Sequence, residues 1–188
     1  EQSDLAKAQF EKLAFAGKRE NSSWYYLGQL AEVGGDIERA LTNYRRVERG
    51  EFRLNAQIRV AVMLSQSGDI PGARAHLQGM RRQYHAERVR LYRAEADILV
   101  RAEQLEDAVS VYDGALAELP SNSDLLYARA MVAARQGNVV ELERDLRVIL
   151  NREPENADAL NALGYTLTDK TDRHEEALGL IERAFALK

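Results

Sequence analysis

A pattern of about 34 residues returns along this chain. Trp24, Gly28, Ala40 and Tyr44 open it; Tyr92, Ala96, Ala108, Tyr112 and Pro120 continue it; Leu160, Gly164, Ala177 and Ile181 carry it near the end. A chain with this period stacks small supersecondary units side by side. Its core is then a ribbon running through the stack, and no unit buries its apolar face alone. Such arrays are in most cases binding surfaces, which weighs against an enzyme.

In register, the units span residues 21–53, 54–88, 89–122, 123–156 and 157–188, and each reads as two amphipathic helices joined by a short turn. The turns carry their own signals. Gly34-Gly35-Asp36, Ser67-Gly68-Asp69 and Gln136-Gly137-Asn138 place a glycine after one helix and a capping Asp or Asn before the next. Ala102-Glu103-Gln104 and Lys170-Thr171-Asp172 mark the same turn without glycine. Pro120 and Pro154 stop second helices, and Asn122, Ser123 and Asn156 can cap the helices that follow. Residues 1–20, through Ala6, Phe10 and Leu13, read as the second helix of a repeat whose first helix is missing. The expectation is an all-α solenoid of about eleven helices, cut from a longer array, whose open ends associate.

Small residues recur where helices must come close. Gly28, Ala61, Ala96, Ala130 and Gly164 share one site in the first helices, and Ala40, Ala73, Ala108 and Ala177 share one in the second. Leu142 breaks the second series, so looser or shifted packing is expected there. Tyr44, Leu77, Tyr112, Leu146 and Ile181 fill the gap one turn on. Glu95 and Arg129 stand where other units carry an apolar residue, and their opposite charges predict a partly buried pair between successive units.

Composition excludes several function classes. The net charge of −4 argues against a general nucleic-acid binder. No apolar run is long enough to cross a membrane. The absence of Cys removes disulfides, thiol catalysis and Cys-ligated zinc. His76, His85 and His174 lack metal-ligand spacing and read as surface or turn residues. No phosphate loop or nucleophile elbow occurs. No catalytic, cofactor-binding or metal-binding residue is therefore assigned. Asn21-Ser22-Ser23 fits a glycosylation sequon but reads as a helix cap.

What remains is a surface. Residues facing away from the second helices recur at spacings of three and four, and they mix tyrosines, aliphatic residues and arginines. Tyr and Arg are the types enriched where binding energy concentrates. Tyr25, Arg93, Arg101, Tyr127, Met131, Arg135 and Tyr165 are the candidate protein-binding groove; the alternative is gap-filling tyrosines and solvated arginines. Charge is also segregated. Seven arginines lie from Arg74 to Arg101, while no Lys or Arg occurs from Ala102 to Ala128. Either a charged partner is steered or neighbouring units pair their basic and acidic surfaces.

Trp24-x-x-Leu27-Gly28 followed by Ala40 and Tyr44, in five units of one register, resembles the tetratricopeptide repeat family across essentially the whole chain. The resemblance implies a right-handed superhelix whose first helices line a concave groove, binding peptides or partner proteins without chemistry. Glu95 and Arg129 depart from the family pattern. The groove also lacks the Lys and Asn set with which some family members grip chaperone C-termini. Asn161 to Asp169, then Thr171-Asp172-Arg173 and Glu175 to Leu178, is similar to tetratricopeptide lipoproteins of the Gram-negative outer membrane. The best-understood type of that group is the adaptor of a periplasmic carboxyl-terminal processing protease. That narrower likeness implies a lipoprotein on the periplasmic side of the outer membrane. Its partners would be the protease and the peptidoglycan hydrolases it degrades, and a cytoplasmic setting stays open. Two other classes fit the same residues: a scaffold of a secretion or polysaccharide-export assembly, and an accessory region of an enzyme.

Overall fold

The computed structural model describes residues 9, 10, 12, 13 and 20–187. Ten α-helices follow one another: α1 Glu20–Val33, α2 Ile37–Arg45, α3 Arg53–Gln66, α4 Ile70–Gln83, α5 Arg88–Arg101, α6 Leu105–Glu118, α7 Ser123–Arg135, α8 Val139–Arg152, α9 Ala157–Lys170 and α10 His174–Ala186. A single 3-10 turn, His85–Glu87, precedes α5. Gln9, Phe10, Lys12 and Leu13 are helical too. The rest of the helix expected near the N-terminus lies outside the described residues. The chain divides into two compact units, 1–94 and 95–188.

Helix starts follow the capping residues. The Asp36 carboxylate accepts from the Arg39 amide at 3.0 Å and opens α2. Asp69 does the same for α4 through Gly72, at 2.8 Å, with Pro71 in the first turn. Asn122, Asn138 and Asn156 open α7, α8 and α9. In the turns inside three of the repeats a glycine takes the left-handed backbone: Gly35 at φ 75°, Gly68 at 93° and Gly137 at 71°. The turn between α5 and α6 puts Glu103 there, at φ 57°, a conformation that costs an L-residue energy. The last turn solves the problem differently. Thr171 is extended, and its hydroxyl donates to the Leu167 carbonyl at 2.6 Å.

Asn21 does not cap a helix. It lies inside the first turn of α1, and its side-chain oxygen accepts from the Glu48 amide at 2.8 Å and the Arg49 amide at 3.1 Å. Glu48 and Arg49 lie beyond the end of α2, where their amides have no place in a helical ladder, and Asn21 supplies the acceptor.

Unit 1 is built on Trp24, Leu27, Ala31, Ala40, Tyr44, Val47 and Met63, with Phe10, Tyr25 and Phe52 packed against them. A Cβ at Gly28 would stand 2.6 Å from the Tyr44 ring, so only glycine lets that tyrosine seat. In unit 2, Gly164 plays the same part for Ile181. Ala96, Ala108, Ala130 and Ala177 are fully buried, as are Leu99, Leu125, Leu146 and Leu167. Leu142 is buried to 1% exposure, so the site accommodates its larger side chain.

Candidate functional site

The second unit's first helices, α7 and α9, carry the clearest candidate surface. Tyr127 and Met131 stand four residues apart, one turn along α7, and both are half-buried. Burial pushes the Tyr127 phenol above its ordinary pKa, and the Asp158 carboxylate, at the start of α9, adds to the shift. Asp158 is thus near enough for its charge to be felt at Tyr127. Further along α9, Tyr165 is 68% exposed. A large aromatic side chain that the fold does not bury is available to a partner, with an apolar body and a polar tip.

The remaining candidates divide. Arg101 is exposed at the end of α5. Arg135 is exposed at the end of α7 and donates to Glu103 at 2.9 Å, so its charge is partly answered within the unit. Arg93 belongs to unit 1 and is exposed. Tyr25 is half-buried: its ring stacks on Phe52 at 4.8 Å, lies edge-on to Tyr26 at 5.7 Å and tilts against Tyr44 at 5.8 Å. It works mainly as a packing residue, with its hydroxyl accepting from Gln29 at 3.4 Å. Among the described residues, no hydrogen bond or ion pair joins any two of these seven side chains.

Glu32, also on the outward face of a first helix, is a structural residue. It accepts from the Tyr44 hydroxyl at 2.8 Å and from Arg59 Nε at 3.0 Å, linking α1 to α2 and α3. Burial, then the neighbouring Tyr25, raises the Tyr44 pKa well above the usual phenol value. Tyr44 therefore stays a neutral donor to Glu32.

The expected Glu95–Arg129 pair does not form. Arg129 forks onto Asp145, Nε to Oδ2 at 2.7 Å and Nη2 to Oδ1 at 2.8 Å, and also reaches Asp113 at 2.5 Å. Asp145 is 1% exposed. By the repeat register it stands on α8 where unit 1 has Asn43 and His76, opposite the position that Arg129 takes on α7. The compensating charge therefore comes from the second helix of the same repeat, not from the next repeat's first helix. A bidentate contact leaves neither ion buried without a partner. Glu95 is fully buried.

Two carboxylates of the acidic stretch, Glu103 and Asp113, are taken up by arginines of α7. Pairing between neighbouring repeats thus absorbs part of the charge segregation. A second network was invisible in the repeat pattern. Glu143 on α8 accepts from Arg147 at 2.8 Å and from Arg173 at 2.8 Å, and Arg147 also meets Glu176 at 2.5 Å. The hydrogen bonds from Arg173, then those from Arg147, hold the Glu143 carboxyl down to about 2.

A family model described as Tetratricopeptide repeat matches residues 1–52, 61–123 and 93–141. The TPR repeat-containing protein PA4667 of Pseudomonas aeruginosa is 38% identical over 167 residues, which is 89% of this chain. The chain spans about 28% of that relative's length. Among solved structures, MamA of Desulfovibrio magneticus RS-1 superposes with a TM-score of 0.59 at 16% identity, over 89% of this chain and 94% of that one. YrrB, described as a TPR protein with an unusual peptide-binding site, gives 0.53 at 19%, over 95% and 92%. These two likenesses bear on the fold. With its repeat register and its helical pairs, the chain belongs to the tetratricopeptide-repeat family of protein-binding scaffolds.

Proposed function

We propose that this chain is a non-catalytic adaptor that holds a partner polypeptide on the first-helix face of unit 2. The observation that carries this reading is the exposed Tyr165, with Tyr127 and Met131 half-buried and Asp158 near the Tyr127 phenol. A solvated helix face has no use for exposed aromatic surface, whereas binding hot spots are rich in it. The described peptide-binding site of YrrB, a protein of the same fold, lends support.

The partner in this reading is a periplasmic carboxyl-terminal processing protease, which the adaptor activates toward peptidoglycan hydrolases. The protein is then a lipoprotein on the periplasmic side of the outer membrane. The support is the segment from Asn161 to Leu178, which resembles that group of lipoproteins and contains Tyr165 itself. The test is the turnover of a cell-wall hydrolase by purified protease, with and without the full chain. Stimulation that falls when Tyr127 and Tyr165 are both changed to Ala is the expected result. Unchanged turnover on adding the wild-type chain discards the adaptor reading.

A further inference from the structure

Unit 1 contains a cleft of about 590 Å³, formed where the end of α2, the first turns of α3 and the outer side of α4 meet. Its lining includes Arg45, Glu48, Arg53, Gln57, His76 and Met80. We propose that this cleft is a docking site for an acidic side chain of a partner protein. It is separate from the first-helix face of unit 2 and does not depend on that reading.

Elsewhere in the chain Arg59, Arg129, Arg147 and Arg173 each meet a carboxylate. Arg45 and Arg53 are exposed on the cleft, and among the described residues neither lies within ion-pair distance of one. Arg53 is held instead over the Tyr84 ring, 5.7 Å from its centroid, which orients a guanidinium without neutralising it. Glu48 is the one carboxylate of the lining, so two fixed positive charges face a single negative one.

His76 supplies the second observation. Its Nε2 atom is buried and has no hydrogen-bond partner. Burial lowers its pKa, a hydrogen bond to the Gln57 backbone works against that, and the Arg45 charge lowers it further. A buried polar atom without a partner is rare enough in native structures to call for an explanation. A carboxylate between Arg45 and Arg53 offsets the Arg45 charge at His76 and lets Nε2 take a proton and donate. The charged groups that line the cleft with His76 are Arg45, Glu48 and Arg53, and two of these three are cations.

An acidic peptide suits these walls better than an apolar one. Guanidinium groups fork onto carboxylates, the Gln57 amide adds a donor, and Met80 forms a buried apolar floor. The volume holds a Glu or Asp side chain together with part of its neighbours.

The test uses the full chain and a fluorescein-labelled, C-amidated decapeptide carrying Glu-Glu at its centre, read by anisotropy. Arg45→Ala with Arg53→Ala is expected to weaken binding at least about tenfold. Both side chains are exposed, so the far-UV circular dichroism stays unchanged. The Gln-Gln version of the probe should bind wild type as weakly as the Glu-Glu probe binds the variant. The His76 imidazole resonances should move on adding the Glu-Glu probe to wild type, and stay still in the variant. Equal binding of the two probes overturns the proposal. So does loss of binding on changing Arg93 and Arg101 while the Arg45 and Arg53 variant binds normally. Tyr127→Ala with Tyr165→Ala leaves this binding intact, which keeps a failure here distinct from a failure of the unit 2 reading.

Discussion

The two units use one helical plan and hold it together with different chemistry. In unit 1 aromatic rings join most of the helices, beside one ion pair, Glu32 with Arg59. Tyr25 stacks on Phe52, Phe10 on Tyr26 at 5.1 Å, and Arg46 and Arg81 lie over Trp24 and Tyr92 at 4.3 and 4.1 Å. In unit 2 the corresponding joints are ionic: Arg129 with Asp145 and Asp113, then Glu143 with Arg147 and Arg173. The repeat thus specifies where helices touch, not what touches. A position that holds Leu27 in one repeat can hold Arg129 in another, provided the facing residue changes with it. The aromatic joints depend on shape and the ionic joints on pairing, so the two units should fail in different ways.

The strongest break is at Arg129. Arg129→Ala takes the bidentate cation from buried Asp145 and leaves it only Arg144, whose Nε stands 3.2 Å from Oδ1, so it should cost up to about 3–5 kcal/mol. Replacing both Arg129 and Asp145 with Leu should recover most of that, because leucine fits the same register elsewhere. Urea denaturation of wild type, single and double variants forms the cycle. A double variant no more stable than the single contradicts the pairing. The matching break in unit 1 is Gly28→Ala, whose Cβ meets the Tyr44 ring at 2.6 Å. It should cost about 1–3 kcal/mol by overpacking, less the gain in helix propensity. A thermal transition unmoved by this change would mean that the ring seats elsewhere.

Acid should separate the units as well. The Glu143 carboxyl is depressed from 4.5 to about 2 in the folded chain. Between those values the unfolded chain binds more protons than the folded one. The stability Glu143 contributes is therefore complete above its unfolded pKa and is lost as pH falls toward the folded value. Glu143→Gln should flatten the wild-type decline in stability over that window. Equal slopes would remove Glu143 from the account. The smallest effect is expected at Glu103, whose φ of 57° suits glycine. Glu103→Gly should stabilise by about 0.5–1 kcal/mol, strain relief exceeding the entropy glycine loses on folding. A drop in stability instead would mean that the contact with Arg135 outweighs the strain.

Local features were legible in the sequence because local physics sets them. Asp36, Asp69, Asn138 and the two prolines fix helix limits through groups only a few residues away. Gly28 and Ala40 announced close helices because no larger side chain fits. The pairing of Arg129 was misplaced because the repeat aligns equivalent positions of successive units. That makes Glu95 the visible partner, although the residue that faces Arg129 sits across its own helical pair. The packing of Tyr25 is not visible in the repeat pattern, because Phe52 lies in a linker with no counterpart in the other repeats and only three dimensions bring the two rings together. The cleft around His76 left no sequence signal, since Arg45, Arg53 and His76 come from three helical segments with ordinary surface composition.

The central claim, that partners bind on the first-helix face of unit 2, is tested most directly by site-specific photocrosslinking. A benzophenone side chain would be placed in turn at Tyr165, on α9, and at Val140, which is 76% exposed on the second helix α8. Each variant would be mixed with the purified protease and hydrolase. The account predicts adducts from position 165 and none from position 140. Adducts from position 140 alone would contradict it.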